Sequence, residues 1–236
     1  MKKSILLFAA LFMVLVGYSQ KKYPTETETH IFWQPNRKLT AEDFQRDPMT
    51  ASQESIEECD SLNYCVVGGF GLFRAIDISK GKYKPGRYHE ILYMAPAFEK
   101  PLSCILKPDS LGIEIQQILF DIEELKARTI RYRMDHLSEI FGIEPIDNPY
   151  TMFFSTIFDE CDDFYGYLKA KFLHDVVYHE GESFEEWKST VDQYLEQLKD
   201  YATTAEDCYR FVKGKPLKKN MVEPKYLAPS YYKKSE

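Results

Sequence analysis

The side chains best suited to metal chemistry lie between residues 174 and 180. His174 and His179 are imidazole donors, and the acidic residues Asp175 and Glu180 stand beside them. Two histidines and a carboxylate form a donor set for zinc when they converge. However, neighbours on one helix face are three or four residues apart, whereas these histidines are five apart. We therefore expect a solvated helix end here; a zinc site formed by His174, His179 and Glu180 is the alternative.

Other candidate motifs are weaker. His89 and Glu90 lie in a predicted strand, where alternation sends adjacent side chains to opposite faces. The glycines at 68, 69 and 71 are not followed by a predicted helix, so they do not indicate a phosphate-binding loop. The chain also has no Gly-x-Ser-x-Gly segment, the turn that carries a nucleophilic serine in many hydrolases.

The cysteines number five, so at least one has no intramolecular partner. Cys59 and Cys65 are close enough in sequence to bridge a loop, but spacing alone does not settle the pairing. Cys161 falls on an apolar helix face and is expected to be a small core residue. The five are Cys59, Cys65, Cys104, Cys161 and Cys208.

A long helix is predicted from Asp109 or Ser110, either of which can cap it, to about His136. Apolar residues recur at helical spacing along it, at Ile115, Ile118, Ile122 and Leu125. A second helix is predicted to place Ile157, Cys161, Phe164, Leu168 and Phe172 on one face. A third begins at the capping box Ser183-Phe-Glu-Glu186 and carries Trp187, Val191, Leu195 and Leu198.

Two motifs carry a resemblance to a known family. The segment from Trp33 to Phe44 fits Trp-x-x-Asn-Arg-x-Leu-Thr-x-x-Asp-Phe, through Trp33, Asn36, Arg37, Leu39, Thr40, Asp43 and Phe44. The long helix fits part of His-Glu-Gln-x-His-Phe-Asp-Ile-x-Glu-x-x-Ala-Arg, through Gln117, Phe120, Asp121, Ile122, Glu124, Ala127 and Arg128. The chain thereby resembles a bacterial domain-of-unknown-function family of secreted zinc-dependent peptidases, over roughly residues 29–198.

The resemblance fails at the residues that the family's chemistry needs. Two histidines one helical turn apart bind zinc, and the glutamate beside the first acts as general base. The corresponding positions are Ile115, Gln116 and Leu119. Isoleucine and leucine offer no lone pair, and an amide does not accept a proton near neutral pH. The resemblance thus implies a zincin-like helix without zinc or catalysis, and a vestigial groove lined by these three residues.

Two acidic residues of the same helix have alternative interpretations. Asp121 and Glu124 could be the groups that oriented the family's metal ligands. We favour a simpler interpretation, in which they pair with Arg128 on the helix surface, because no metal ligand remains for them to orient.

The N-terminus is typical of a secretory signal peptide, with Lys2 and Lys3 before an apolar run from Ile5 to Val16. Cleavage is expected near Ser19 or Gln20, which predicts a secreted or periplasmic protein with no transmembrane segment. A net charge of −7 without a nucleic-acid-binding motif argues against nucleic acid as a partner.

The order of elements predicts an α+β fold, with an N-terminal β-rich part packed on the long helix and two further C-terminal helices. We expect a signal peptide at 1–19, a flexible leader at 20–28, a single domain at 29–205 and a basic Lys/Pro/Tyr tail at 212–236. The tail is expected to be loosely packed from Val212 onward, because it contains seven lysines and two glutamates.

Three functions remain open from the sequence. The first is a peptidase-like protein without catalysis that binds an envelope protein or peptide, or acts as an envelope scaffold. The second is an active metal-dependent hydrolase with the relocated ligands His174, His179 and Glu180. The third is an envelope structural protein unrelated to peptidases. The first requires no cofactor, and the second requires zinc.

Overall fold

The computed structural model describes residues 23–80, 90–142, 150–179 and 181–224. Several sequence predictions concern residues outside these ranges: the signal peptide, His89, Glu180 and the last 12 residues of the expected tail. Within the described ranges, helices and antiparallel sheets occur together, which confirms the α+β class.

The strands form two antiparallel sheets. They are β1 (His30–Phe32), β2 (Val66–Val67), β3 (Phe70–Ser79), β4 (Glu90–Glu99), β5 (Cys104–Ile105) and β6 (Met221–Val222). The larger sheet has the order β1-β4-β3-β6, and its centre is the long pair of β3 with β4, in register from Phe70 opposite Phe98 to Ile78 opposite Glu90. Strands β2 and β5 form the smaller sheet.

The described helices pack on both faces of the larger sheet: Met94 and Phe98 face one group of helices, and the alternating residues Ala95 and Ala97 face Cys208 of another helix. The helices are α1 (Gln53–Leu62), α2 (Ser110–Asp135), α3 (Leu137–Phe141), α4 (Tyr150–Val177), α5 (Phe184–Gln197) and α6 (Ala205–Lys213). None of them, within the described residues, combines the length and the apolar content that a bilayer-crossing helix needs.

Helix α2 is the centre of the molecule. It begins where predicted, because Oδ1 of Asp109 accepts a hydrogen bond of 2.9 Å from the backbone nitrogen of Gly112. It packs against β3 and β4 on one side and against α4 and α5 on others. Every residue from Ile118 to Arg128 is buried, and each large aliphatic side chain among them contributes about 1.5–3 kcal/mol by leaving water.

The buried face of α4 differs from the prediction at one residue. Ile157, Cys161 and Phe172 are buried as expected, but Phe164 is 58% exposed and Tyr165 beside it is 7% exposed. The predicted stripe steps by three residues from Cys161 to Phe164, whereas the contact face continues in steps of four from Ile157 through Cys161 to Tyr165. The hydroxyl of Tyr165 lies 2.7 Å from that of Thr129 in α2, which satisfies it in the interior.

Residues 23–28 are not a flexible leader. Glu26 pairs with Ile31 in an isolated β-bridge, and the Thr25 carbonyl accepts a hydrogen bond from the Phe32 amide. The Tyr23 ring stacks on Tyr209 with centroids 5.0 Å apart. The prediction was wrong here because the segment is polar in composition but its backbone groups and one ring find partners in the fold.

The predicted C-terminal boundaries were also wrong. Helix α6 lies beyond the expected domain end at 205, and its capping box of Thr204 and Asp207 follows the rule that identified α5. Of the expected tail, the described residues 212–224 return to the sheet: Met221 is buried, and β6 pairs with β3. Arg210 holds this segment, since its guanidinium binds Asp77 at 2.8 Å and Glu223 at 2.7 Å.

Candidate functional site

The three positions that correspond to the zinc motif are core residues. Ile115, Gln116 and Leu119 are between 1% and 5% exposed, and the two aliphatic side chains belong to the main hydrophobic cluster. The expected groove lined by these residues is therefore absent from the described structure. Apolar side chains at the ligand positions turn this face of α2 toward the protein interior, because burial removes their surface from water.

Gln116 uses its amide as a structural tie. Its Nε2 donates hydrogen bonds to the Tyr64 hydroxyl at 2.6 Å and to the Val66 carbonyl at 2.9 Å. A methyl group at Gly68 would come within 2.1 Å of Oε1 of Gln116, so glycine allows this close approach. Gln116 thus anchors β2 to α2 by donating hydrogen bonds, which a glutamate carboxylate cannot donate.

The two motifs that carry the family resemblance meet in space. Trp33 donates from Nε1 to Oδ1 of Asp121 at 2.7 Å. The Leu39 backbone nitrogen donates to Oε1 of Gln117 at 2.9 Å. The guanidinium of Arg128 lies over the Trp33 ring, 5.1 Å from its centroid, within the range of a cation–π interaction. The opening segment is therefore fixed on the face of α2 adjacent to the zinc-motif positions.

The other residues of the opening motif stabilise that segment. Arg37 binds the buried Asp43 through two hydrogen bonds of 2.6 and 3.0 Å, a geometry that makes charge-assisted pairs strong. The Phe44 and Phe98 rings meet edge to face at 5.1 Å. Phe120 is buried in the same cluster, and Asn36 is exposed in a turn.

Glu124 pairs with Arg128 as favoured from the sequence, but in the interior instead of on the surface. The Glu124–Arg128 distance is 2.8 Å, and both side chains are buried. Glu124 also accepts hydrogen bonds from the backbone nitrogen and the hydroxyl of Thr203. Burial raises the pKa of Glu124, although Arg131, Thr203 and Arg128 oppose it. The surface prediction was wrong because the segment after α5 covers this face.

Asp121 does not pair with Arg128. Its Oδ1 accepts hydrogen bonds from Trp33 and from Nε2 of Gln117, the latter at 2.9 Å, and its Oδ2 lies 3.7 Å from the Lys38 ammonium. Burial raises the pKa of Asp121, against the opposing effects of Lys38, Trp33 and Gln117. A buried carboxylate without a close counter-ion is costly, so Asp121 is the residue of this site that most needs a functional or structural explanation.

Asp121 lies at the wall of a groove between α2 and α5, which we call the α2–α5 groove. Its cavity volume is about 350 Å³, at the lower end of the range for small-molecule and peptide sites. From α2 and the loop after β1 it is lined by Ile113, Glu114, Gln117, Ile118, Asp121, Lys38 and Leu39. The groove thus occupies the face of α2 next to the expected one.

The α5 wall consists of Phe184, Lys188 and Asp192, spaced one helical turn apart. The two helices run in the same direction, because Arg128 of α2 bonds to the Leu195 carbonyl of α5, and Arg131, further along α2, bonds to the Tyr201 carbonyl just beyond the end of α5. Phe184 therefore lies at the same end as Ile113. Ile113 and Phe184, with the exposed Glu114 beside them, line one end of the groove, and Asp121, Asp192 and Lys38 line the other.

Of the relocated metal site, the structure describes His174 and His179 but not Glu180. His174 is exposed, 3.8 Å from Asp175, whose carboxylate accepts hydrogen bonds from Lys171 and Trp187. His179 follows α4 in a left-handed backbone conformation with φ of 58°. Among the described residues, no three His, Cys, Asp or Glu side chains are grouped as metal ligands would be.

The disulfide pairing, left open by the sequence, joins Cys59 to Cys65. Cys104, Cys161 and Cys208 are free and buried. Burial raises the pKa of the Cys208 thiol to about 12 and also raises the pKa of Cys161 and Cys104. These three thiols are protonated at neutral pH, which is the unreactive form.

Sequence reasoning identified Asp121 and Leu39 but missed the α5 wall. The signal was present, because Phe184, Lys188 and Asp192 are four residues apart and form one face of a helix that was predicted correctly. What the sequence did not show is that this face lies opposite α2.

The chain matches no family model, and neither a curated protein nor a solved structure is significantly similar to it.

Proposed function

We propose that this protein is a secreted or periplasmic binding protein with a peptidase-like helix and no zinc-dependent catalysis, and that it holds an extended peptide segment of an envelope partner in the α2–α5 groove. One observation carries the proposal. The zinc-motif positions Ile115, Gln116 and Leu119 are filled with core side chains, while an accessible cavity of about 350 Å³ lies on the adjacent face of the same helix.

The composition of the groove favours a peptide. Ligand sites combine an apolar surface with a few polar groups that fix orientation, and an extended peptide offers both apolar side chains and main-chain hydrogen-bonding groups to such a groove. Leu39, Ile118 and Phe184 provide the apolar part, and Gln117 provides an amide. The walls are two packed helices, with α2 anchored to the sheet, so a ligand meets a site that is already formed and loses little affinity to ordering.

The absence of catalysis is tested by metal content and proteolysis. We expect less than one tightly held zinc ion per chain after dialysis, and no zinc-dependent cleavage of unfolded casein. Zinc held at one ion per chain, with cleavage that a chelator stops and zinc restores, would refute the proposal. If His179→Ala then removed both, the relocated-ligand hydrolase would replace it.

Binding in the groove is tested by selection from a displayed hexapeptide library. Glu114 is exposed and lines the groove, so Glu114→Trp fills it without disturbing the core. We expect the selected peptides to bind the wild-type protein and to lose affinity for this variant. Glu185→Trp is the matched control, because Glu185 is exposed on α5 outside the groove lining. Equal binding to all three proteins would exclude the groove as the site.

A further inference from the structure

The carboxylate of Asp121 has acceptor capacity that the described protein does not use. Asp121 is 2% exposed, and both hydrogen bonds made to it by described residues, from Trp33 and Gln117, go to Oδ1. A carboxylate accepts up to about four hydrogen bonds. Its Oδ2 has only the Lys38 ammonium at 3.7 Å, on a side chain that is 62% exposed.

Lys38 is poorly suited to be the permanent partner of this carboxylate. The contact exceeds hydrogen-bond distance, and a mostly hydrated ammonium on a long side chain loses conformational freedom when it is held in place. A cation delivered by a ligand inside the groove would lie closer and would be shielded from water. A ligand cation that displaced Lys38 would therefore gain a closer contact with Oδ2 than Lys38 has.

The other residues that line the groove indicate which chemical group the ligand carries besides its cation. Asp121 and Asp192 line one end of the groove, and Ile113 and Phe184 line the other beside the exposed Glu114, with Lys188 between Phe184 and Asp192 on α5. Ile113 and Asp121 are eight residues apart on α2, which corresponds to about 12 Å along the helix axis. In an extended peptide, side chains at positions i and i+2 point to one side and are separated by about 7 Å, and a lysine stem spans the remaining distance.

We propose that the α2–α5 groove recognises a peptide in which an apolar side chain and a basic side chain are two residues apart. The basic group binds Asp121 Oδ2 in place of Lys38, and the apolar group lies against Ile113 and Phe184. This inference rests on the proposed peptide-binding function and adds the chemical class of the ligand.

The test is a titration of the purified protein with the capped tripeptide N-acetyl-Phe-Gly-Lys-amide. The matched probe replaces lysine with norleucine, which keeps the stem and removes the charge. We expect the lysine peptide to bind roughly tenfold or more tightly, as a charge-assisted contact with a buried carboxylate implies. Asp121→Asn keeps the Oδ1 acceptor for Trp33 and Gln117, so it folds, and it should remove this preference.

Two further variants complete the design. Lys38→Met removes the resident cation and should tighten binding of the lysine peptide, a gain that a purely structural role of Asp121 does not explain. Asp163→Asn removes a charge from an exposed position on α4 and should leave the affinity unchanged. Thermal unfolding of each variant establishes that it is folded.

The possible outcomes separate this inference from the proposed function. Equal affinity for the two peptides, unaffected by Asp121→Asn but lost in Glu114→Trp, would overturn the cation specificity and leave peptide binding in place. Failure of both peptides to bind at millimolar concentration would overturn the inference. The hexapeptide selection, which assumes no ligand charge, would then decide the proposed function alone.

Discussion

The indole nitrogen of Trp33 donates a hydrogen bond of 2.7 Å to Oδ1 of Asp121, a residue 88 positions further along the chain. Both residues are buried. This contact joins the segment after β1 to the middle of α2 and orients the carboxylate so that its other oxygen is directed away from the indole.

Trp33→Phe should destabilise the protein by about 1–3 kcal/mol through the lost hydrogen bond alone, because a buried carboxylate loses one of its two donors. Chemical denaturation measures the effect. The loss of part of the ring adds a packing cost, so the same substitution is also made in the Asp121→Asn background. There the cost should be smaller, since a bond to a neutral acceptor is weaker; equal costs would show that the charge of Asp121 does not strengthen the bond.

Asp121→Asn should stabilise the folded protein at neutral pH. Burial raises the pKa of Asp121 in the folded state, so folded protein binds this proton more readily than unfolded protein. The stabilising contribution of the protonated group is complete below the unfolded pKa near 4 and is lost as pH rises through the folded pKa. The advantage of the variant should therefore appear as pH rises from about 4. Denaturation curves from pH 3 to 8 check this; a difference independent of pH would contradict it.

Gln116→Glu should not restore a peptidase and should destabilise the fold by roughly 2–4 kcal/mol at pH 7. The carboxylate cannot donate to the Val66 carbonyl, which now accepts from the Gln116 amide at 2.9 Å. Gln116→Met is the control, because it removes the same hydrogen bonds without adding a charge. The glutamate variant should be the less stable of the two at neutral pH and should approach the methionine variant as acid protonates it.

Arg210→Met should destabilise the protein by about 3–5 kcal/mol, because Asp77 would remain buried without its cation. The double variant Arg210→Met with Asp77→Leu removes both charges and should recover most of that loss. Urea denaturation of the two single variants and the double variant measures the coupling. Additive losses would mean that the two residues act independently.

Replacing both Cys59 and Cys65 by serine should cost about 2 kcal/mol, the loop-closure contribution of a short disulfide loop. A reducing agent should lower the unfolding midpoint of the wild-type protein to about that of the double variant. It should leave the midpoint of the double variant unchanged. Loss of the disulfide should also weaken the hydrogen bond from Gln116 to the Val66 carbonyl, because Val66 follows Cys65 directly in the chain. No response of the wild-type midpoint to reductant would contradict the prediction.

The local features of the fold were predictable, and the contacts between distant segments were not. The Asp109 cap and the Ser183–Glu186 capping box depend on residues three positions apart, and both occur as predicted. Helix α1 was missed because only Cys59 in it is buried, so no apolar stripe marks it. Helix α6 carried the same capping signal at Thr204 and Asp207, hidden by the assumption that the domain had ended.

The site followed the same rule. The sequence identified Asp121, Glu124 and Arg128 as a group worth explaining, and the pairing of Glu124 with Arg128 is a contact one turn apart that helix geometry predicts. The partners Trp33 and Thr203 lie far away in sequence. They decide that these charges are buried, which no spacing within the helix could show.

Helix α2 presents a different polar residue to three of the segments that surround it. Asp121 bonds to Trp33 after β1, Lys126 binds Glu123 of the same helix and Asp162 of α4, and Glu124 bonds to Thr203 before α6. A misfolded state could bury as much apolar surface with two of these segments exchanged. It would leave a charged side chain buried without its partner, which is costly. The contacts of Asp121, Lys126 and Glu124 therefore contribute mainly to the specificity of the fold. They add little to the free energy gained by packing, but they determine which segment lies on which side of the helix.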